Sequence, residues 1–125
     1  MAKKRSAGDQ AQKLTLELRR GTLVLAALSQ LKTPKYGYSL LQDLAKRGLE
    51  VEQGTLYPLL RRLDEQGLLE STWNVAGPRP RKYYQLSAEG LDALAALAEQ
   101  WSDLVAALEQ LIAERDTQGE SDGSD

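Results

Sequence analysis

Leu56, Leu59, Leu60 and Leu63 recur at the three- and four-residue steps of one helical face, and Gly67 interrupts that pattern before a new apolar pair begins at Leu68. A helix carrying this stripe starts near residue 53 and stops at the glycine, which accepts the left-handed conformation that ends many helices. Residues 68–73 then form a short strand, and Asn74-Val-Ala-Gly-Pro-Arg-Pro80 turns the chain back into a second strand over residues 81–86. A buried-stripe helix that runs directly into a hairpin with a basic tip outlines a winged helix-turn-helix. The expected fold class is mainly α with a small β-hairpin, extended by a long C-terminal dimerisation helix.

The flanking segments fit that outline. Residues 1–11 are polar and aperiodic, which predicts a flexible basic arm; Lys3, Lys4 and Arg5 serve there as phosphate contacts or simply as a solubilising tail. A first helix is expected over residues 11–31. It carries two apolar stripes, one through Leu14, Leu18, Leu25 and Leu28, the other through Leu16, Leu23, Ala27 and Leu31. Two apolar faces need two coverings, so one packs on its own domain and the other invites a second subunit. Thr33-Pro34-Lys35 breaks this helix. A second follows over residues 37–46, with Leu40, Leu41 and Leu44 inward and Arg47-Gly48 as its stop. After the hairpin, Ser87 is placed to cap a final helix over residues 87–115, where Leu94, Leu97, Trp101, Leu104, Leu108 and Leu111 step in a heptad seam. Residues 116–125 are rich in Gly, Ser and acids, which predicts a disordered acidic tail. The expected division is therefore an arm (1–11), a DNA-binding winged helix-turn-helix (12–86), a dimerisation helix (87–115) and a tail (116–125).

Composition narrows the chemistry. The 125 residues contain no Cys and no His, which removes disulfides, thiolate zinc sites, imidazole bases and the usual nucleophile pairs. No convergent carboxylate pair stands out either, so neither an enzyme nor a cofactor or metal site is expected. No apolar run approaches the roughly 20 residues a bilayer needs, and the basic start lacks the apolar core of a signal peptide, so a cytoplasmic protein is expected. The net charge of -2 averages two unlike halves: residues 1–86 hold 15 Lys/Arg against 8 Asp/Glu, and residues 87–125 hold 1 against 10. Because salt screens each field within about 10 Å, the basic half attracts phosphate whatever the acidic half carries.

On the third helix the leucine stripe leaves Gln53, Thr55, Tyr57, Pro58, Arg61 and Arg62 on or near the opposite side, within its first turns. The N-terminal part of a recognition helix is the part that enters the major groove. Gln and Arg offer bidentate pairing to base edges, Thr and Pro meet a thymine methyl, and Tyr57 reaches base or phosphate or is partly core. Behind them Arg79, Arg81 and Lys82 crowd three cations into four residues of the hairpin, the composition of a wing that grips phosphate. Tyr83 and Tyr84 point to opposite faces of their strand, so one packs inward.

These blocks, Gly54-Thr-Leu-Tyr-Pro-Leu-Leu-Arg-Arg-Leu-Asp-Glu-Gln-Gly-Leu-Leu69, Trp73, and Gly77-Pro-Arg-Pro-Arg-Lys-Tyr-Tyr-Gln-Leu-Ser-Ala-Glu-Gly90, resemble the signature of the PadR family of transcriptional regulators. The resemblance spans residues 16–112 and implies a homodimeric winged-helix repressor on a pseudo-palindromic double-stranded DNA operator. It places Thr55, Tyr57, Pro58 and Arg61 near DNA and Arg81 and Lys82 in the wing, with Gln53 and Arg79 added by the reading of the residues themselves. The single short C-terminal helix resembles the subgroup that includes multidrug-responsive regulators, where the position of Trp101 stacks on a planar apolar effector. An ordinary place in the dimer seam is the other role for Trp101. Glu52-Gln53 departs from the family's usual Ser-Pro cap. A winged-helix protein-interaction module without specific DNA recognition is the alternative function.

Overall fold

The computed structural model of the chain describes residues 6–120, with side chains to residue 114. Its elements are α1 (Ala7–Ser29), β1 (Lys35–Tyr36), α2 (Gly37–Lys46), α3 (Gln53–Glu65), β2 (Leu69–Asn74), β3 (Arg81–Leu86) and α4 (Ala88–Glu120). Twelve apolar residues, eleven of them leucine, form the core. They come from the C-terminal half of α1 (Leu23, Ala27, Leu28) and Leu31 just after it, from α2 (Leu40, Leu44), from the α3 stripe (Leu56, Leu59, Leu60, Leu63), and from the inner ends of the hairpin (Leu69, Leu86).

Both internal helices end as their glycines predict. At the end of α2, Leu49 N–H donates to the Leu44 carbonyl at 2.8 Å and Gly48 N–H to Ala45 at 3.1 Å, with Gly48 at φ 94°. At the end of α3, Leu68 N–H donates to Leu63 and Gly67 N–H to Asp64, both at 3.0 Å, with Gly67 at φ 81°. Each is a Schellman closure, in which a residue without Cβ takes the left-handed turn and the last carbonyls find donors. Pro58 sits inside α3 without ending it.

Sequence periodicity leaves one strand unseen. β1 is only two residues long, and it pairs antiparallel with β3 (Lys35 with Tyr84, Tyr36 with Tyr83) to make a three-stranded sheet ordered β1-β3-β2. Two residues are too few to show an alternating pattern.

The chain ends also depart from expectation. α1 begins at Ala7 instead of following an arm through residue 11, because Ser6 is extended and its hydroxyl accepts from Asp9 N–H at 3.1 Å, a side-chain cap. Lys3, Lys4 and Arg5 lie outside the described residues. α4 continues past 115 to Glu120, so five of the residues read as tail are helical, and residues 121–125 lie outside the described residues. A polar, acidic composition lowers helix propensity by only tenths of a kcal/mol per residue and does not itself stop a helix already under way.

Ser87 joins the two halves. Its hydroxyl donates to the Gly67 carbonyl at 2.6 Å and accepts from Gly90 N–H at 3.0 Å, while its own N–H donates to Leu68 at 3.1 Å. The expected cap of α4 is thus also the clasp that holds the end of α3. Beyond Leu94, which packs on the core, most of α4 is exposed, as are Leu14, Leu16 and Leu18 of α1. No described helix is long and apolar enough to cross a membrane.

Candidate nucleic-acid interface

Burying the leucine stripe of α3 fixes what its other side presents. Gln53, Thr55, Pro58, Arg61 and Arg62 are all exposed, and the two arginines form no ion pair among the described residues. Tyr57 is half-buried: it packs against the core, and its ring lies so close over Gly37 at the start of α2 that a Cβ there would stand 2.9 Å from it. Of the two roles open to Tyr57, the core contact is therefore realised, with its edge still reaching the surface. Glu52 caps α3 through its backbone alone; its carbonyl receives Thr55 and Leu56 N–H at 3.0 Å and its side chain makes no capping bond. Little holds that carboxylate over the first turn, where a serine would sit tightly.

The register of the hairpin sorts the wing into two faces. Ser71 opposes Tyr84 and Trp73 opposes Lys82, so these four share the face that continues Leu69 and Leu86. Tyr84 is the inward tyrosine, packed against the core. On the other face Asn74 opposes Arg81 and Thr72 opposes Tyr83. There Tyr83 stacks on Tyr36 with ring centroids 3.8 Å apart, Asn74 Nδ2 donates to the Tyr36 hydroxyl at 3.1 Å, and the Arg81 guanidinium lies 5.0 Å over the Tyr36 ring. The neighbouring Tyr83 hydroxyl holds the Tyr36 phenol below its ordinary pKa, with help from Asn74 and Arg81, and Tyr83 is correspondingly held above its own. β1 is anchored in turn by Lys35 Nζ donating to Asp43 Oδ2 at 2.8 Å, a bond that keeps the Asp43 carboxyl below its usual range.

The three wing cations are not equivalent. Arg79 is exposed at the tip, and Arg81 is exposed but steered by Tyr36. Lys82 is half-buried: its ammonium lies 3.6 Å from Asp64 Oδ2, 5.7 Å from the Trp73 ring centre and 5.5 Å from that of Tyr84. Ser71 Oγ donates to that same Asp64 oxygen at 2.7 Å. Tyr36, Asn74 and Asp64 have no distinguishing mark in the sequence, since their roles arise from strand register and from contacts between elements. The basic run itself was the legible signal.

Trp101 lies on α4 in line with Leu97, Leu104 and Leu108, and is 43% exposed. An open groove of about 640 Å³ runs between α1, α2 and the start of α3, lined among others by Leu16, Arg19, Leu41, Val51 and Thr55; Trp101 does not line it. No cluster of acidic side chains able to hold a metal ion occurs among the described residues.

The model of the transcriptional regulator PadR-like family matches residues 24–96, from the buried half of α1 to the first turns of α4. The chain is similar to the solved structure of a PadR family transcriptional regulator from Eggerthella lenta DSM 2243, with 48% identity and a TM-score of 0.81 over 84% of this chain and 94% of that one. It is similar also to a PadR-like transcriptional regulator from Bacillus cereus, with 29% identity and a TM-score of 0.69 over 77% of this chain and 96% of that one. Transcriptional regulator Rv3488 of Mycobacterium tuberculosis is 42% identical over 59 residues, 47% of this chain and 55% of that protein. The chain thus spans about half the length of that relative.

Proposed function

The chain belongs to the PadR-like family of transcriptional regulators, DNA-binding proteins and not enzymes, and on that premise we propose that it is a homodimeric repressor released from its operator by a small-molecule effector. The observation that carries the DNA assignment is the exposed side of α3, where Gln53, Thr55, Pro58 and Arg61 stand together with no side-chain hydrogen bond or ion pair among the described residues, beside the wing cations. In this reading α3 lies in the major groove with Tyr57 at its flank. Arg79 and Arg81 hold phosphate, and Lys82 completes the wing. Two subunits joined through α1 and α4 set pseudo-palindromic half-sites about one turn, roughly 34 Å, apart.

Binding-site selection with the purified protein, followed by gel shift on the selected duplex, tests this. Arg61→Ala is expected to cost about 1–3 kcal/mol in operator affinity, roughly 5- to 150-fold, and to relax preference at one base pair per half-site. No recovered consensus, together with weak, sequence-blind binding by the parent, would favour a winged-helix protein-docking module instead. A reporter driven from a promoter overlapping the selected site should lose output when the protein is present; a gain would make it an activator.

The effector assignment rests on the exposure of Trp101 within the apolar seam of α4. A planar apolar molecule stacked there would separate the helices of the dimer and lower DNA affinity by the difference in its own affinity for the two states. In a Trp73→Phe background, the remaining tryptophan fluorescence should be quenched by planar compounds that also weaken operator binding. Silence across a broad panel would leave Trp101 as a seam residue only.

A further inference from the structure

Asp64 occupies the last turn of α3 and touches both strands of the wing. Its Oδ2 accepts from Ser71 Oγ of β2 at 2.7 Å and lies 3.6 Å from Lys82 Nζ of β3, with the two charged side chains only 24% and 31% exposed. Trp73 and Tyr84 flank the same ammonium, so Lys82 is held by a carboxylate and two ring faces. Arg79 and Arg81 have no such acid among the described residues. The cation tied down is therefore the one that sits against the reader helix.

We propose that Asp64 is a specificity-setting residue, which fixes the wing against α3 and withholds the charge of Lys82 from the DNA backbone. A phosphate contact adds affinity to every sequence alike, so a neutralised Lys82 leaves a larger share of binding to the base-facing side chains of α3. This rests on the DNA-reading assignment above. Two functions combine in one carboxylate, and they separate chemically. The hydrogen bond from Ser71 needs only an acceptor oxygen, which an amide retains. Restraint of Lys82 needs the negative charge.

The test is the salt dependence of binding to a random-sequence duplex, measured between about 50 and 200 mM salt for four full-length proteins: parent, Asp64→Asn, Lys82→Ala and the double variant. Asp64→Asn should free one cation for one phosphate and steepen the log–log slope by about 0.9, which amounts to roughly a 3.5-fold greater change in affinity across that range. Lys82→Ala should leave the slope of the parent unchanged, yet remove about 0.9 from that of Asp64→Asn. The ratio of operator to random-duplex affinity should fall in Asp64→Asn and return in the double variant. An unchanged slope in a folded Asp64→Asn protein overturns the proposal. So does a full loss of about 0.9 from Lys82→Ala in the parent, a result that needs no change at Asp64 and stands even if the asparagine variant does not fold. A parent with no salt-dependent duplex binding would refute the DNA assignment itself, a distinct outcome, and Asp64 would fall with it.

Discussion

Gly90→Ala is expected to destabilise the fold by about 3 kcal/mol or more, seen as a fall in the thermal midpoint on the order of 10 °C. The cause is local and steric. A Cβ at residue 90 would overlap the carbonyl oxygen of Leu68 and press on the Leu86 side chain at 3.1 Å. A side chain can rotate away, but the Leu68 carbonyl is held: it accepts from Ser87 N–H at 3.1 Å, just beyond the Schellman closure of α3. Moving the start of α4 outward would also stretch the bond from Gly90 N–H to Ser87 Oγ, now 3.0 Å. Overpacking costs about 1–3 kcal/mol, and each strained hydrogen bond adds about 1. Gly21→Ala is the control. Its Cβ would meet nothing within 4 Å in the protomer, and in the middle of α1 alanine is favoured over glycine by about 0.5–1 kcal/mol. Equal effects of the two substitutions would mean that the contact between Leu68 and Gly90 is not tight.

Ser87 shows where sequence reasoning reaches and where it stops. Its place before an acidic first turn announces an N-cap, and the structure has that cap. Nothing local announces that the same hydroxyl donates to Gly67, twenty residues away, because that bond exists only once α3, the hairpin and α4 are packed together. The leucine stripes of α2 and α3 and the stops at Gly48 and Gly67 were legible for the same reason: periodicity and left-handed turns belong to neighbouring residues. β1 was not, since its pairing with Tyr83 and Tyr84 is a fact about a distant strand. The candidate interface divides in the same way. Exposure of Gln53, Thr55, Pro58 and Arg61 follows from the buried stripe, whereas the unequal situations of Arg81 and Lys82 depend on Tyr36 and Asp64, supplied by other elements. Counting three cations in the wing was correct as composition; treating them as equivalent missed the half-buried ammonium.

Under the proposed dimer, replacing Leu104 and Leu108 together with glutamate should yield a folded monomer and lower operator affinity by more than about 100-fold. Both leucines lie on the seam of α4 that faces away from the protomer's core, 55% and 48% exposed, and Leu111 and Ile112 continue the apolar surface at 60% and 65%. Scattered exposed leucines are ordinary, but four on adjoining turns of one helix form a contiguous patch that water covers poorly. Burying each such side chain is worth about 1.5–3 kcal/mol, and a carboxylate placed in the seam loses that gain and faces a second carboxylate across the two-fold axis. The fold should survive, because neither residue contributes to the core that Leu56, Leu60 and Leu63 organise. Affinity should fall further than these contacts alone imply. Once one reader helix is bound, linkage presents the second at high effective concentration, and a monomer forfeits that advantage. Sedimentation equilibrium should give a mass near 13.8 kDa for the variant and about twice that for the parent. If the variant keeps the parent's mass and operator affinity, α4 is not the dimer seam, and the exposed leucines of α1 become the surface to test.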